Sequence, residues 1–311
     1  MRKATCLICL LTSLAGCYLP VRPDSTALAT WTTELRARQP EDAFGAVYAR
    51  GRNELIFIGA AHTEETDSLT FRIINDAYAS FEIRTVIVEG VPRSRGPNDE
   101  RLMQWVASRP AREGRQEGGE LAAAVQGALA EGAVVLGGEP DDSQIRDALA
   151  SQGISAEDVL GFYTLRTVPQ WLKERQIASL DEVRVPALIE AELVRNRERL
   201  GLSATILPGF ESWLEWYART NGKSFGAKFE PEETGPLADG RYGSNRIAAA
   251  ISRSRDAFLL ETIAERLNAG ETLLVVFGRS HLMIQRPALD AMLGRPCYVG
   301  SELSLASASG C

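Results

Sequence analysis

The chain has 311 residues, 45% of them hydrophobic and 24% charged, enough apolar material for one large globular domain or two small ones. With 34 Lys and Arg against 41 Asp and Glu, the formal charge is −7, which argues against nucleic acid or an anionic membrane surface as partner. The five cysteines form no zinc-binding pattern.

Residues 1–16 read as a secretory signal. A basic start at Arg2 and Lys3 precedes an apolar run over 4–14 that is too short to span a bilayer. Leu14-Ala15-Gly16-Cys17 resembles the bacterial lipobox. That resemblance implies a palmitate-bearing lipoprotein with lipidated Cys17 as its mature first residue. The protein would then be membrane-anchored at the bacterial cell envelope, on the outer membrane facing the periplasm or displayed at the surface. Residues 17–26, with Pro20 and Pro23, then form a tether. Cys6 and Cys9 leave with the signal, so Cys297 and Cys311 remain as an even pair in an oxidising compartment. A bridge between them would pin the 297–311 tail.

Past the tether, residues 27–38 read as a short helix. Residues 44–50 and 54–58 read as the arms of a hairpin, turned by Gly51-Arg52-Asn53. The 54–58 arm opens a strand–helix–strand unit over 55–89. Thr66 or Asp67 is the expected cap of a helix with Leu69, Ile73, Ala77 and Phe81 on one face. Residues 85–88 form the second strand of the unit. Helices are expected over 100–107 and 119–130, and a third core strand over 133–136 runs into Gly137-Gly138-Glu139-Pro140. Asp141 or Asp142 caps the next helix, and residues 155–221 read as helical. Trp213 and Trp216 share one face there, an aromatic stripe that belongs to a core. A polar loop over 221–243 is long enough to be a site lid or a mobile segment. Residues 246–267 are helical, 272–277 a late strand, and 282–293 a closing helix. The simplest architecture is one α/β domain over 27–296, with a mainly parallel central sheet, helices on both faces and a helical insertion at about 141–245.

The chemistry concentrates at strand ends. Both histidines of the chain follow a strand within Gly-x-x-His, as Gly59-Ala60-Ala61-His62 and Gly278-Arg279-Ser280-His281. Glycine at that position lets the backbone leave the strand at a φ open to few other residues. Glu89 and Glu139 follow two further strands. In open parallel sheets such carboxyl ends are where ligands bind.

At this point the ordered residues resemble the TraB/GumN/TIKI family, grouped with erythromycin esterase and ChaN-like proteins. Carrying the resemblance are Gly59 and His62, Glu89, the Arg253-Ser254-Arg255-Asp256 helix, and Gly278 and His281. It covers about 54–90 and 245–294, with a looser likeness in Gly161 to Trp171. It implies an α/β fold and a hydrolase-like site, metal-dependent in the TIKI branch and metal-free in the erythromycin esterase branch. ChaN-like relatives bind haem, so a haem or small-ligand binding protein without catalysis is the alternative. The late Arg-Asn pair of the family stands here as Arg255-Asp256.

The residues themselves leave two chemistries open. His62, Glu89 and His281 form a donor set for one divalent metal ion, which would activate water. Alternatively, one histidine is the general base for water and Glu89 orients it, with no metal. Arg255 is the candidate for stabilising an oxyanion or holding a substrate carboxylate, and Glu139 a candidate for lining the same cleft. Without a Gly-x-Ser-x-Gly elbow, activated water is favoured over a covalent nucleophile. The expected substrate is a peptide, an ester or another small molecule. The competing structural use is two histidines making local hydrogen bonds at strand ends.

Overall fold

The structure is a computed structural model, which describes residues 20–308 apart from Arg52, Ala227 and Lys228. The signal segment, Cys17 and Cys311 lie outside the described residues, as do the expectations resting on them. Cys297 is disulfide-bonded. Among the described residues, no helix is long and apolar enough to cross a membrane.

A short helix, α1 (Thr33–Ala37), leads into the hairpin of β1 (Phe44–Arg50) and β2 (Asn53–Ala60). Beyond it come α2 (Leu69–Ser80), β3 (Thr85–Pro92), α3 (Glu100–Ala107), α4 (Gly119–Glu131) and β4 (Val134–Glu139). A run of helices comes next: α5 (Asp142–Ser151), α6 (Ala156–Leu165), α7 (Val168–Lys173), α8 (Val185–Leu200) and α9 (Phe210–Asn221). The chain then returns through α10 (Gly243–Asn268) to β5 (Leu273–Gly278). It closes with α11 (Arg279–Leu293), β6 (Tyr298–Gly300) and α12 (Ser304–Ala308).

The fold is α/β around one six-stranded mixed sheet, ordered β4-β3-β5-β2-β1-β6. Its four strands from β4 to β2 are parallel, while β1 runs antiparallel to β2 and to β6. The parallel strands read as unbroken apolar runs because both faces are covered. Ile56, Ile58, Val86, Val88, Leu274 and Val276 point into a core with α2 and α4. Leu55, Phe57, Ile87, Leu273, Val275 and Phe277 point the other way, into a core with α10 and α11. Each such fully buried Leu, Ile or Phe contributes about 1.5–3 kcal/mol of hydrophobic stabilisation. The helical insertion has a third core of its own around Trp213, Trp216, Tyr163 and Leu193, completed by Ile247 and Ile251 from the first turns of α10. The tryptophan stripe is therefore core, with Trp213 Nε1 donating to the Gly161 carbonyl at 3.2 Å.

Three local expectations are corrected. The α2 cap is Ser68, not Thr66 or Asp67. Residues 64–66 are held by the 114–116 loop, with the Thr66 N–H donating to Gly114 at 2.9 Å, so the helix cannot begin earlier. Glu89 lies inside β3 rather than just past it, and His281 lies in the first turn of α11 rather than in a loop. The long loop before α10 is anchored through Glu233, a fully buried acid that accepts from Tyr217 and Lys223.

Candidate active site

Four adjacent strands end on one edge of the sheet, and each delivers one part of a site. β4 brings Glu139, β3 brings Glu89, β5 brings Gly278 and, one helical turn later, His281, and β2 brings His62. α10 crosses behind them with Arg255 and Asp256, and the first turn of α4 supplies Glu120.

Glu89 is the hub. Its Oε2 accepts the Gly278 N–H at 2.7 Å, and its Oε1 accepts Arg255 Nη2 at 3.0 Å. His281 Nε2 lies 3.4 Å from the same Oε1. Burial alone would raise the Glu89 carboxyl. The hydrogen bond and charge of His281, the charge of Arg255 and the Gly278 N–H together hold it well below the usual carboxylate range. Arg255 in turn donates from Nε to Glu139 Oε2 at 2.6 Å and from Nη2 to Glu139 Oε1. Glu139, itself buried, also accepts the Gly90 N–H at 3.3 Å. Its oxygens thus serve to hold Arg255 in position. Nη1 of Arg255 has no hydrogen-bond partner among the described residues.

His281 is a buried imidazolium. Its Nδ1 lies 2.8 Å from Asp256 Oδ1, and its ring packs edge-on to Phe277 at 5.4 Å. Burial pulls its pKa down, but the charge and hydrogen bond of Asp256, joined by Glu89, overrule that and push it up to about 10. Asp256 is fully buried and also receives Gln285 Nε2, at 2.7 Å on its carbonyl and 3.3 Å on Oδ1. Arg253, two residues before Arg255, faces away and donates to the Ser25 and Leu28 carbonyls.

His62 is paired in the same way but differs in exposure. Its side chain is 67% exposed, and its Nδ1 is paired with Glu120 Oε1. The Glu120 hydrogen bond and charge raise its pKa, with a further contribution from Glu89. Its Nε2 faces Gly278. A Cβ placed on Gly278 would lie 3.0 Å from His62 Nε2 and 3.4 Å from Glu89 Oε2. The two imidazoles and the acid at 89 therefore converge at one point on the sheet edge, as their strand-end positions predict.

The two glycines have a different use from the one expected. Neither Gly59 nor Gly278 has a positive φ. Each instead makes room for the other unit. A Cβ on Gly59 would press on Arg279 Cα at 3.1 Å and Leu282 Cβ at 3.3 Å, and one on Gly278 would press on the His62 ring. Gly278→Ala, whose backbone is compatible with alanine, should therefore displace the exposed His62 ring and lower kcat/KM about tenfold or more, with a stability change below about 1 kcal/mol. Unaltered kinetics on the best substrate, alongside an unaltered urea midpoint, would refute that reading of the glycine.

The donor set does not suit the expected metal. His281 Nδ1 faces Asp256 and its Nε2 faces Glu89, and both Glu89 oxygens are engaged by Gly278 and Arg255. Only His62 Nε2 remains as a ligand. Among the described residues, no group of three or more His, Cys, Asp or Glu side chains is disposed to hold an ion.

Glu120 escaped sequence reasoning, and so did the full part played by Asp256. In comparisons with known proteins, no family model, no curated protein and no solved structure matches this chain. The family resemblance thus rests on the ordered motif residues alone.

Proposed function

We propose that the chain is a cell-envelope hydrolase that cleaves an ester or amide bond with water activated by His62, without a resident metal. The observation that supports this best is the setting of His62, whose Nδ1 is fixed by Glu120 while its Nε2 lies against Gly278 beside Glu89. Two-thirds of the His62 side chain is exposed to solvent. A base held by an acid on one nitrogen and open on the other is the arrangement general-base catalysis needs.

In this reading, Glu120 accepts the Nδ1–H of His62 and leaves Nε2 as the acceptor. Water beside the exposed ring gives a hydrogen bond to Nε2. As its oxygen attacks the carbonyl carbon, one proton passes to Nε2. The negative charge on the carbonyl oxygen meets the unspent Nη1 donors of Arg255. Collapse of the tetrahedral adduct breaks the carbonyl–leaving-group bond, and the His62 imidazolium returns its proton to the departing alkoxide or amine. Products are the acid with the alcohol or amine, and His62 is regenerated. His281 touches no reacting atom. It is a positioning residue that keeps Glu89 charged and aimed. The haem or small-ligand alternative has weaker support, because both ring nitrogens of His281 are engaged.

Because Glu120 raises the His62 pKa, the acid limb of kcat/KM should lie above the ordinary histidine value of 6.5. A panel of activated ester and amide substrates assayed across pH tests this. Glu120→Gln should move the limb to lower pH and reduce the plateau by roughly tenfold to a hundredfold. A limb that stays where it is in that variant would remove His62 from the role of base.

A further inference from the structure

Beside the cleft, on the β4 side, three arginines crowd together. Two have acids to match. Arg255 is paired with Glu139 and Glu89, and Arg199 with Asp142 at 2.8 Å, just past the end of β4. The third, Arg166, follows the last residue of α6. Its guanidinium lies over the Tyr163 ring at 4.0 Å, and Arg199 reaches the edge of the same ring at 5.9 Å. The Tyr163 hydroxyl donates to Asp142 Oδ1 at 3.0 Å, so even that acid is shared out. Arg166 is exposed, and among the described residues its side chain makes no hydrogen bond and no ion pair.

Arg166 is stacked and close to two like charges, with no carboxylate of its own among the described residues. The surrounding protein pulls the Arg166 pKa below its ordinary value; Tyr163 and Asp142 oppose that, and the charges of Arg199 and Arg255 add to it. A stacked guanidinium is already fixed in orientation, so little freedom is lost when it binds. Its planar fork matches the two oxygens of a carboxylate or phosphate. The repulsion from Arg199 and Arg255 would become attraction toward a shared anion.

We infer that Arg166 is the recognition residue for an anionic group, a carboxylate or phosphate, carried by the substrate next to its scissile bond. That the anion belongs to a substrate rests on the hydrolase reading; the anion site itself does not. The neighbours set the specificity. Tyr163 backs the Arg166 guanidinium, and Asp142, which accepts from Tyr163 and Arg199, disfavours a cation beside it. Neutral esters would then be poorer substrates than their acidic analogues.

Inorganic phosphate and acetate serve as probes on the intact protein, with binding followed by calorimetry and by the shift in Tm. The wild type is expected to bind at least one of them at about millimolar Kd. Arg166→Gln should weaken that binding about tenfold or more, and Arg166→Lys, which keeps charge but not the fork, by less. His62→Ala should bind as the wild type does. Tm without anion should hold steady or rise in Arg166→Gln, because a like-charge clash is relieved. Absence of binding by wild type up to about 50 mM would overturn the inference, as would unchanged binding in Arg166→Gln or a marked fall of its Tm. If anions bind as stated but no ester or amide is turned over, the hydrolase reading fails and the anion site stands.

Discussion

His62→Ala is expected to lower kcat/KM by about 10²–10⁴-fold on any ester or amide the protein cleaves. The fold should be untouched. The ring is two-thirds exposed and contacts the body through Glu120 and the surface above Gly278, so its removal opens no cavity. Loss of activity without loss of stability separates a base from a strut. Small added imidazole should restore part of the rate, since the space it would enter is the one the side chain left. A variant that turns over at the wild-type rate would end the case for His62, and with it the proposed reaction.

The largest effect on stability should come from Asp256→Ala. The carboxylate is fully buried and holds His281 and Gln285 together. Without it, a buried imidazolium keeps only Glu89 as a counter-charge. Breaking one partner of such a pair costs about 3–5 kcal/mol. The loss should carry a pH signature. His281 titrates at about 10 in the folded protein against 6.5 ordinarily. A raised pKa means that the folded state binds the proton more tightly, so this stabilisation is complete below 6.5 and drains away as pH climbs toward 10. The free-energy gap between wild type and Asp256→Ala, from urea unfolding, should therefore be widest below that window and narrow across it. A flat gap, or one under about 1 kcal/mol throughout, would mean that the pair is incidental.

Much of this was legible in the sequence because it is local. Short β-rich runs ending in Gly-x-x-His, Glu89 and Glu139 mark the sheet edge without reference to any distant contact. The sheet then brings those ends together, and its mainly parallel character and two covered faces follow from the same runs. What the sequence hides is pairing across space. Glu120 sits in the first turn of a helix, where an acid has an ordinary reason to be, 58 residues from the ring it holds. Asp256 is visible only as the neighbour of Arg255; that it charges His281 depends on how α10 packs against α11. The purpose of the two glycines is likewise a contact between units, which a reading of backbone freedom alone assigns wrongly. For the same reason the histidines look like matching ligands on paper, whereas Asp256 overrules burial and favours the charged form of one, and the other stands two-thirds exposed against Glu120.

β5 pairs with β2 on one side and β3 on the other, yet it is made after both of them and after the whole helical insertion. Any folding intermediate that lacks β5 therefore leaves the facing edges of β2 and β3 unpaired. Such an intermediate has neither Gly278 nor His281 in place, and its open edges invite pairing with another copy. How quickly β5 docks, more than the stability of the finished domain, should set the yield on refolding from denaturant.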